Sequence, residues 1–290
     1  MSWRNVLTAA GCALSWAAVA GPVSVVDDSG RAVKLAQPAQ RVIALGPHLT
    51  EQVYAVGAGA QLVAVSRFSN YPEAAKALPI VGDAVALNHE AMARLKPDLV
   101  LIWRTGFPDR ARAPLNKLGV QVFESEIRSV ADIGQSLRRI GELTGHGAEG
   151  EAQARKVELD WARLRSDYAS RSPVRVFYQV WHQPLMTFNR DHLIHEAITA
   201  CGGVNVFAEL PALTPTVSWE AAVQRNPQVI AMAGAASDHP DRGQWPRFPQ
   251  VEAVRHQRFV QIDGDLIGRM GPRFVQGARR LCEGIDTARH

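Results

Sequence analysis

Short apolar runs alternate with amphipathic segments along most of this chain, and Gly or Pro marks nearly every junction. Val23 to Lys34 alternates weakly about Asp27-Asp28-Ser29-Gly30, which predicts a hairpin that ends at Pro38. An α/β rhythm follows. Strands are predicted at Arg41 to Leu45, Leu62 to Val65, Leu99 to Trp103 and Val120 to Phe123. Between them, His48 to Val56 reads as a helix stopped by Gly57, and Asn88 to Leu95 as a helix before the Pro97 turn. Arg110 to Leu118 is helical up to Gly119, and Ser129 caps a helix that reaches Thr144.

Gly147 to Ser170 breaks this rhythm. It has no Pro, no Gly after Gly150, and is rich in Ala, Glu, Arg and Leu. As one helix it would span roughly 36 Å. Composition leaves two readings open, a rigid connector between lobes and an ordinary surface helix. Beyond it the α/β pattern resumes, with strands at Arg175 to Val180, Val229 to Ala233 and Phe259 to Ile262. Helices are predicted at Ile194 to Ala200 and, behind an N-cap at Ser218, at Trp219 to Gln224. Pro272 is placed in the first turn of a last helix that runs through Ile285.

The two α/β stretches repeat each other. Glu90 to Val100 aligns without gaps on Glu220 to Ile230: Glu opens each segment, Ala follows, and Pro97 or Pro227 precedes an apolar strand. Upstream, Glu51 and Glu196 stand at the same distance before Gly57 and Gly202, and Arg41-Val42 matches Arg175-Val176. The order is kept in both halves, which predicts two lobes of one topology. A carboxylate at a helix start gains about 0.3–1 kcal/mol from the helix dipole. Glu90 and Glu220 are therefore either capping acids or a matched pair of surface carboxylates offered to one partner.

Chemistry and compartment narrow the function. Arg4, the mostly small or apolar run Val6 to Ala18, and Ala18-Val19-Ala20 form an export signal, with a mature start expected at Gly21. No later run reaches the ~20 apolar residues of a membrane span. Ala9-Ala10-Gly11-Cys12 resembles a lipoprotein box, but the apolar run before Cys12 is very short, so cleavage after Ala20 is the expectation. Cleavage leaves Cys201 and Cys282, which in an oxidising compartment suggest one disulfide; two buried free thiols are the alternative. Net charge is +4, or +3 without Arg4, and the basic residues are scattered, which speaks against nucleic acid.

No catalytic motif is present. His195-Glu196-Ala197-Ile198-Thr199 lacks the second His of a zinc helix, His89-Glu90 fails likewise, and there is neither a nucleophile elbow nor a phosphate loop. His48, His89, His182 and His192 have no close metal spacing, so no metal site is expected. Aromatic residues near strand ends, namely Phe68, Tyr71, Trp103, Phe107, Tyr178 and Trp181, fit the walls of a cleft between lobes or ordinary packing.

Val25-Val26-Asp27-Asp28-Ser29-Gly30-Arg31 followed by Arg41-Val42-Ile43-Ala44-Leu45 resembles the opening of class III, helical-backbone substrate-binding proteins. Ser69-Asn70-Tyr71-Pro72, Leu95 to Val100, Trp103-Arg104, Cys201 to Phe207 and Gly271-Pro272-Arg273 continue the likeness in order. Within that group the chain is most similar to the periplasmic cobalamin-binding proteins of bacterial ABC importers. The resemblance implies two Rossmann-like α/β lobes, 21–146 and 172–290, joined by a long rigid helix at 147–171 behind a signal peptide at 1–20. It implies a monomeric, non-catalytic periplasmic carrier without a cofactor, which binds cobalamin or a related corrinoid and delivers it to a membrane permease. Haem or an iron–siderophore is the alternative cargo, and a metal-dependent periplasmic enzyme a more distant one. By the same resemblance Glu90 and Glu220 dock the permease and Cys201 pairs with Cys282. Phe68, Tyr71, Trp103 and Trp181 are expected at the ligand, with Asp265 and Arg269 as polar contacts. Ala84 and Thr214 stand where tryptophans are expected, and His48 replaces a smaller residue beside the cleft, where axial ligation of cobalt or iron is one reading and a plain helix-start histidine the other.

Overall fold

The computed structural model describes residues 21–83, 85–108, 112, 114–115, 119–234 and 242–290. The export segment with Cys12, Ala84 and most of the helix expected at Arg110 to Leu118 lie outside the described residues. Strands β1 (Val23–Val26) and β2 (Ala32–Leu35) form the expected hairpin, with Val23 opposite Leu35. The buried Asp27 carboxylate closes its turn by accepting from the Ser29 and Arg31 backbone N–H groups at 2.9 and 3.0 Å.

The first lobe is built on a parallel sheet of order β4-β3-β5-β6, with β3 at Val42–Leu45, β4 at Leu62–Val65, β5 at Leu99–Trp103 and β6 at Gln121–Ser125. Its helices are α1 (Pro47–Ala55), α2 (His89–Arg94) and α3 (Val130–Thr144). Ser129 and Asp132 form a capping box at the start of α3, each side chain accepting from the other's backbone N–H. The connector is α4 (Gly147–Tyr168). In the second lobe, β7 (Val174–Gln179) is followed by a small hairpin, β8 (Trp181–His182) and β9 (Leu185–Met186), that the sequence pattern does not announce. With β10 (Gly203–Asn205), β11 (Val229–Gly234) and β12 (Phe259–Asp263), β7 makes a second parallel sheet of order β10-β7-β11-β12. Helices α5 (Leu193–Ala200), α6 (Trp219–Gln224), α7 (Glu252–Arg255), α8 (Gly264–Ile267) and α9 (Phe274–Asp286) complete it. Pro272 precedes the α9 cap residue Arg273 rather than lying within the first turn.

Strand order is the same in both lobes, and the repeated segments carry the same local devices. Chain reversal after α2 and α6 uses positive φ at Lys96 (45°) and Asn226 (43°). Asp98 then accepts from the Arg41 N–H at 3.1 Å, and Gln228 accepts from the Arg175 N–H at 3.0 Å. Each sheet is covered on both faces, which is why its strands read as unbroken apolar runs. The outer faces have separate cores, around Ile43, Val100 and Leu115 in one lobe and Phe177, Ile230 and Trp245 in the other. The inner core is continuous across both lobes through Val157, Trp161 and Leu164 of α4.

Two contacts fix the connector. Gly141 of α3 and Gly150 of α4 touch; a Cβ on Gly141 would lie 3.0 Å from the Gly150 Cα and 2.8 Å from the His146 carbonyl oxygen. At its other end, Trp161 packs on Phe274 with ring centroids 6.4 Å apart. A disulfide joins the buried Cys201, after α5, to Cys282 of α9, with Cα atoms 4.8 Å apart.

Candidate functional site

The carboxyl ends of parallel strands open toward the space between the lobes, where α/β proteins place ligands. Two adjoining hollows occupy that space. One, of about 270 Å³, is bounded by His48 at the start of α1, by Phe68, Trp103 and Phe107, and by Arg269 and Met270 from the second lobe. The other, of about 430 Å³, is bounded by Trp103 and Thr105 of the first lobe and by Tyr178, Phe188, His192 and Thr214 of the second. Trp103, at the end of β5, lines both hollows, as do Gly268 and Met270.

Trp103 and Phe68 therefore both border the space between the lobes, with Phe68 72% exposed at a positive φ of 68°. Thr214 also lines the cleft, and offers a small hydroxyl side chain there rather than an indole. His48 is 5% exposed and meets the Trp103 ring edge-on at 5.9 Å. Its Nε2 is buried without a hydrogen-bond partner among the described residues. Burial, and then the Arg269 charge, lower its pKa to about 4, so the ring is neutral at pH 7. Because Nε2 is sealed, an axial bond from that atom to a bound metal requires the imidazole to turn. Among the described residues no group of three or more His, Cys, Asp or Glu side chains could hold a metal ion.

The polar pair expected at the ligand has a different first duty. Arg269 donates to Glu51 at 2.8 Å, to Asp265 at 2.7 Å and to the Phe68 carbonyl at 3.1 Å. Arg273 donates twice more to Glu51, at 2.9 and 2.6 Å, and Asn70 donates to Asp265 at 3.1 Å. Glu51 belongs to α1 and the arginines to the second lobe, so this cluster is a bridge between the lobes with Glu51 at its centre. Arg269 still forms part of the wall of the smaller hollow.

Two expected aromatic contacts do not join the others. Tyr71 lies on the Arg273 guanidinium, 3.8 Å from ring centroid to Cζ, and lines a separate hollow bordered by α1, α4 and α9. Trp181 is 57% exposed on the β8–β9 hairpin, stacks on His182, and donates its indole N–H to the Gln183 carbonyl at 3.0 Å. It borders neither cleft hollow.

Glu90 and Glu220 occupy the second position of α2 and α6. The capping acceptors are their neighbours: Asn88 accepts from the Ala91 N–H at 2.9 Å, and Ser218 from the Ala221 N–H at 3.1 Å. Both glutamates are exposed, and neither carboxylate has a partner among the described residues. The side-chain caps are thus supplied by Asn88 and Ser218, while both glutamates lie in the first turn, where the helix dipole favours a carboxylate, and are exposed at the surface.

The model of a family described as periplasmic binding protein matches residues 42–266. The chain belongs to the periplasmic binding protein family. A vitamin B12-binding protein of Vibrio cholerae serotype O1 is 33% identical over 253 residues, 87% of this chain and 91% of the relative. The crystal structure of a periplasmic vitamin B12 binding protein of Vibrio cholerae superposes with a TM-score of 0.79 at 32% identity, covering 87% of this chain and 98% of that one. A periplasmic haem-binding protein solved with two haems superposes with a TM-score of 0.75 at 25% identity, covering 86% and 98%.

Among the residues at or beside this periplasmic binding protein's cleft that escape the sequence reading of the site are Glu51, Met270 and His192. Glu51 is read only for its distance to Gly57, because its partners lie more than two hundred positions away. Met270 carries no pattern signal. His192 is weighed as a metal ligand and dismissed for its spacing, whereas the structure makes it the N-cap of α5 and a wall of the larger hollow.

Proposed function

We propose that this chain is the substrate-binding component of an ABC importer, which captures cobalamin or a related corrinoid between its lobes and hands it to a membrane permease. The observation that carries this reading is the 33% identity to a vitamin B12-binding protein across most of both chains. The cleft is in keeping with it. Its walls are largely aromatic and apolar, as clefts for large flat ligands are, with few polar groups to fix orientation. Its charged groups are tied up in the Glu51–Arg269–Asp265 bridge and in the Arg67–Asp83 ion pair, which favours carriage over catalysis. That bridge and the shared inner core limit how far the lobes can close, so the cleft is largely preformed in this reading.

The same reading takes residues 1–20 as a signal peptide cleaved after Ala20, with a monomeric carrier released into the periplasm. It divides the mature chain into lobes at 21–146 and 172–290 around the connector 147–171. Among the described residues no helix is long and apolar enough to cross a membrane.

Titration of the purified mature chain with cyanocobalamin is the deciding test. Saturable binding with one ligand per chain, at or below micromolar concentration, is expected. Haem is the second cargo considered, because a haem-binding relative shares the fold at 25% identity. No response to micromolar cyanocobalamin alongside tight haem binding would overturn the corrinoid assignment.

Glu90 and Glu220 are the proposed permease contacts. Glu90→Ala combined with Glu220→Ala is expected to leave ligand affinity unchanged and to cut uptake by the assembled transporter. Uptake at the wild-type rate in the double variant would remove this role.

A further inference from the structure

Several polar groups on the larger hollow have no hydrogen-bond partner among the described residues, the Thr214 hydroxyl and the Trp103 indole N–H among them, and two belong to a stacked set of rings. His192 caps α5: its Nδ1 accepts from the Ile194 backbone N–H at 3.1 Å. A ring nitrogen that accepts carries no proton, so the neutral imidazole holds its proton on Nε2. Burial, and then the Arg128 charge, lower the pKa to about 4 and keep the ring neutral at pH 7. With Nδ1 committed to the helix end, the Nε2–H is the polar group the ring has left, and it makes no hydrogen bond among the described residues.

The ring is held firmly in place. His192 stacks on Phe188 at 3.5 Å between centroids and 6° between planes, and Phe188 in turn packs on Tyr178 at 5.7 Å. This ladder of three rings forms one wall of the hollow. Burial raises the Tyr178 pKa above its ordinary value, so the phenol keeps its proton, and its hydroxyl too lacks a partner among the described residues. No Lys or Arg lines this hollow among the described residues, and Arg128, whose charge acts on His192, is paired with Glu126 at 2.7 Å. A ligand carboxylate would enter without a counter-charge, which is costly in an apolar cavity. An uncharged carbonyl oxygen would receive a hydrogen bond from either donor at no such cost.

We propose that the His192 Nε2–H and the Tyr178 hydroxyl are a donor pair that recognises uncharged amide carbonyls on the edge of the bound ligand, selecting an amide-bearing corrinoid over a carboxylate-bearing porphyrin. This deepens the corrinoid reading above and rests on it. Leaving such donors unpaired costs a ligand without the acceptor more than a weak contact would, which is how buried polar groups discriminate.

Two variants test the pair with different structural cost. Tyr178→Phe removes the hydroxyl and keeps the ring contacts. His192→Ser removes the ring but retains an oxygen that can cap α5. Each is titrated with cyanocobalamin and with haemin beside the wild type. Each variant is expected to lose roughly tenfold or more in cyanocobalamin affinity, about 1.4 kcal/mol or more. In ¹⁵N-histidine-labelled wild-type protein, cyanocobalamin is expected to shift the His192 Nε2–H resonance and slow its exchange with water. Wild-type cyanocobalamin affinity in both variants, or a resonance unmoved by saturating ligand, removes the donor pair while leaving the corrinoid reading intact. Binding of haemin but not cyanocobalamin by the wild type removes both the corrinoid reading and the preference for an uncharged acceptor.

Discussion

Glu51→Ala is expected to destabilise the protein by about 3–5 kcal/mol, the range for removing one partner of a buried ion cluster. Glu51 is 3% exposed and accepts three hydrogen bonds from two arginines that are themselves largely buried. Without it, Arg269 keeps Asp265, but Arg273 keeps only the Tyr71 ring and the Asp265 backbone carbonyl. The positive charge left between the lobes is no longer balanced. Glu51→Gln is expected to fall short of wild type as well, since one arm of an amide donates toward groups that also donate. Replacing Glu51, Arg269 and Arg273 together by apolar residues of similar volume is expected to recover much of the loss, because desolvating the charges costs about what their attraction returns. Urea unfolding at neutral pH measures each step. A Glu51→Ala loss within about 0.5 kcal/mol, the usual size for surface changes, would show that the bridge contributes nothing to stability.

Acidification from pH 7 to pH 5 is expected to cost about 4 kcal/mol through His48 and His192 alone. Both have folded-state pKa values lowered to about 4, in each case chiefly by burial. In the unfolded chain both titrate near the ordinary histidine value of about 6.5. As pH falls below that value the unfolded state takes up protons that the folded state refuses. Stability is therefore undiminished by these groups above about pH 6.5, falls through the interval, and levels off below about pH 4. Linkage gives about 2 kcal/mol for each histidine at pH 5. The double variant His48→Gln with His192→Asn removes both titrations, and Asn keeps a capping oxygen for α5. Urea midpoints at the two pH values should then differ by correspondingly less than in the wild type. An undiminished acid loss in the double variant would assign the effect to other groups.

Much of the fold is legible in the sequence because it is written in short-range code. Leu99 to Trp103 and Val229 to Ala233 are apolar runs set off by Pro97 and Pro227, and each becomes an inner strand of its sheet. Ser129 with Asp132, and Ser218 alone, announce helix starts within a few residues. The site is less legible, because it depends on which way a loop turns a side chain. Phe68 and Tyr71 are three positions apart, yet one borders the cleft and the other lies on Arg273 in a separate hollow. Trp181 borders neither cleft hollow for a related reason. The β8–β9 hairpin that carries it has strands too short to leave a pattern, and its turn draws the indole N–H to the Gln183 carbonyl. Arg269 is found by family likeness as a polar cleft residue, but its tie to Glu51 spans 218 positions and no local spacing encodes it.

The contact between Gly141 and Gly150 has a mechanical consequence. Two helices that meet without a side chain between them cannot slide or roll apart without opening a void, so α3 and α4 move as one block. The Arg138 ion pairs with Glu151 and Glu158 tie the same two helices. The connector is thus an arm rooted in the first lobe, not a tether held equally by both. A swing of the second lobe against that arm would have to part Phe274 from Trp161 and Arg279 from Asp167, or else turn the few residues between Tyr168 and the start of β7 at Val174.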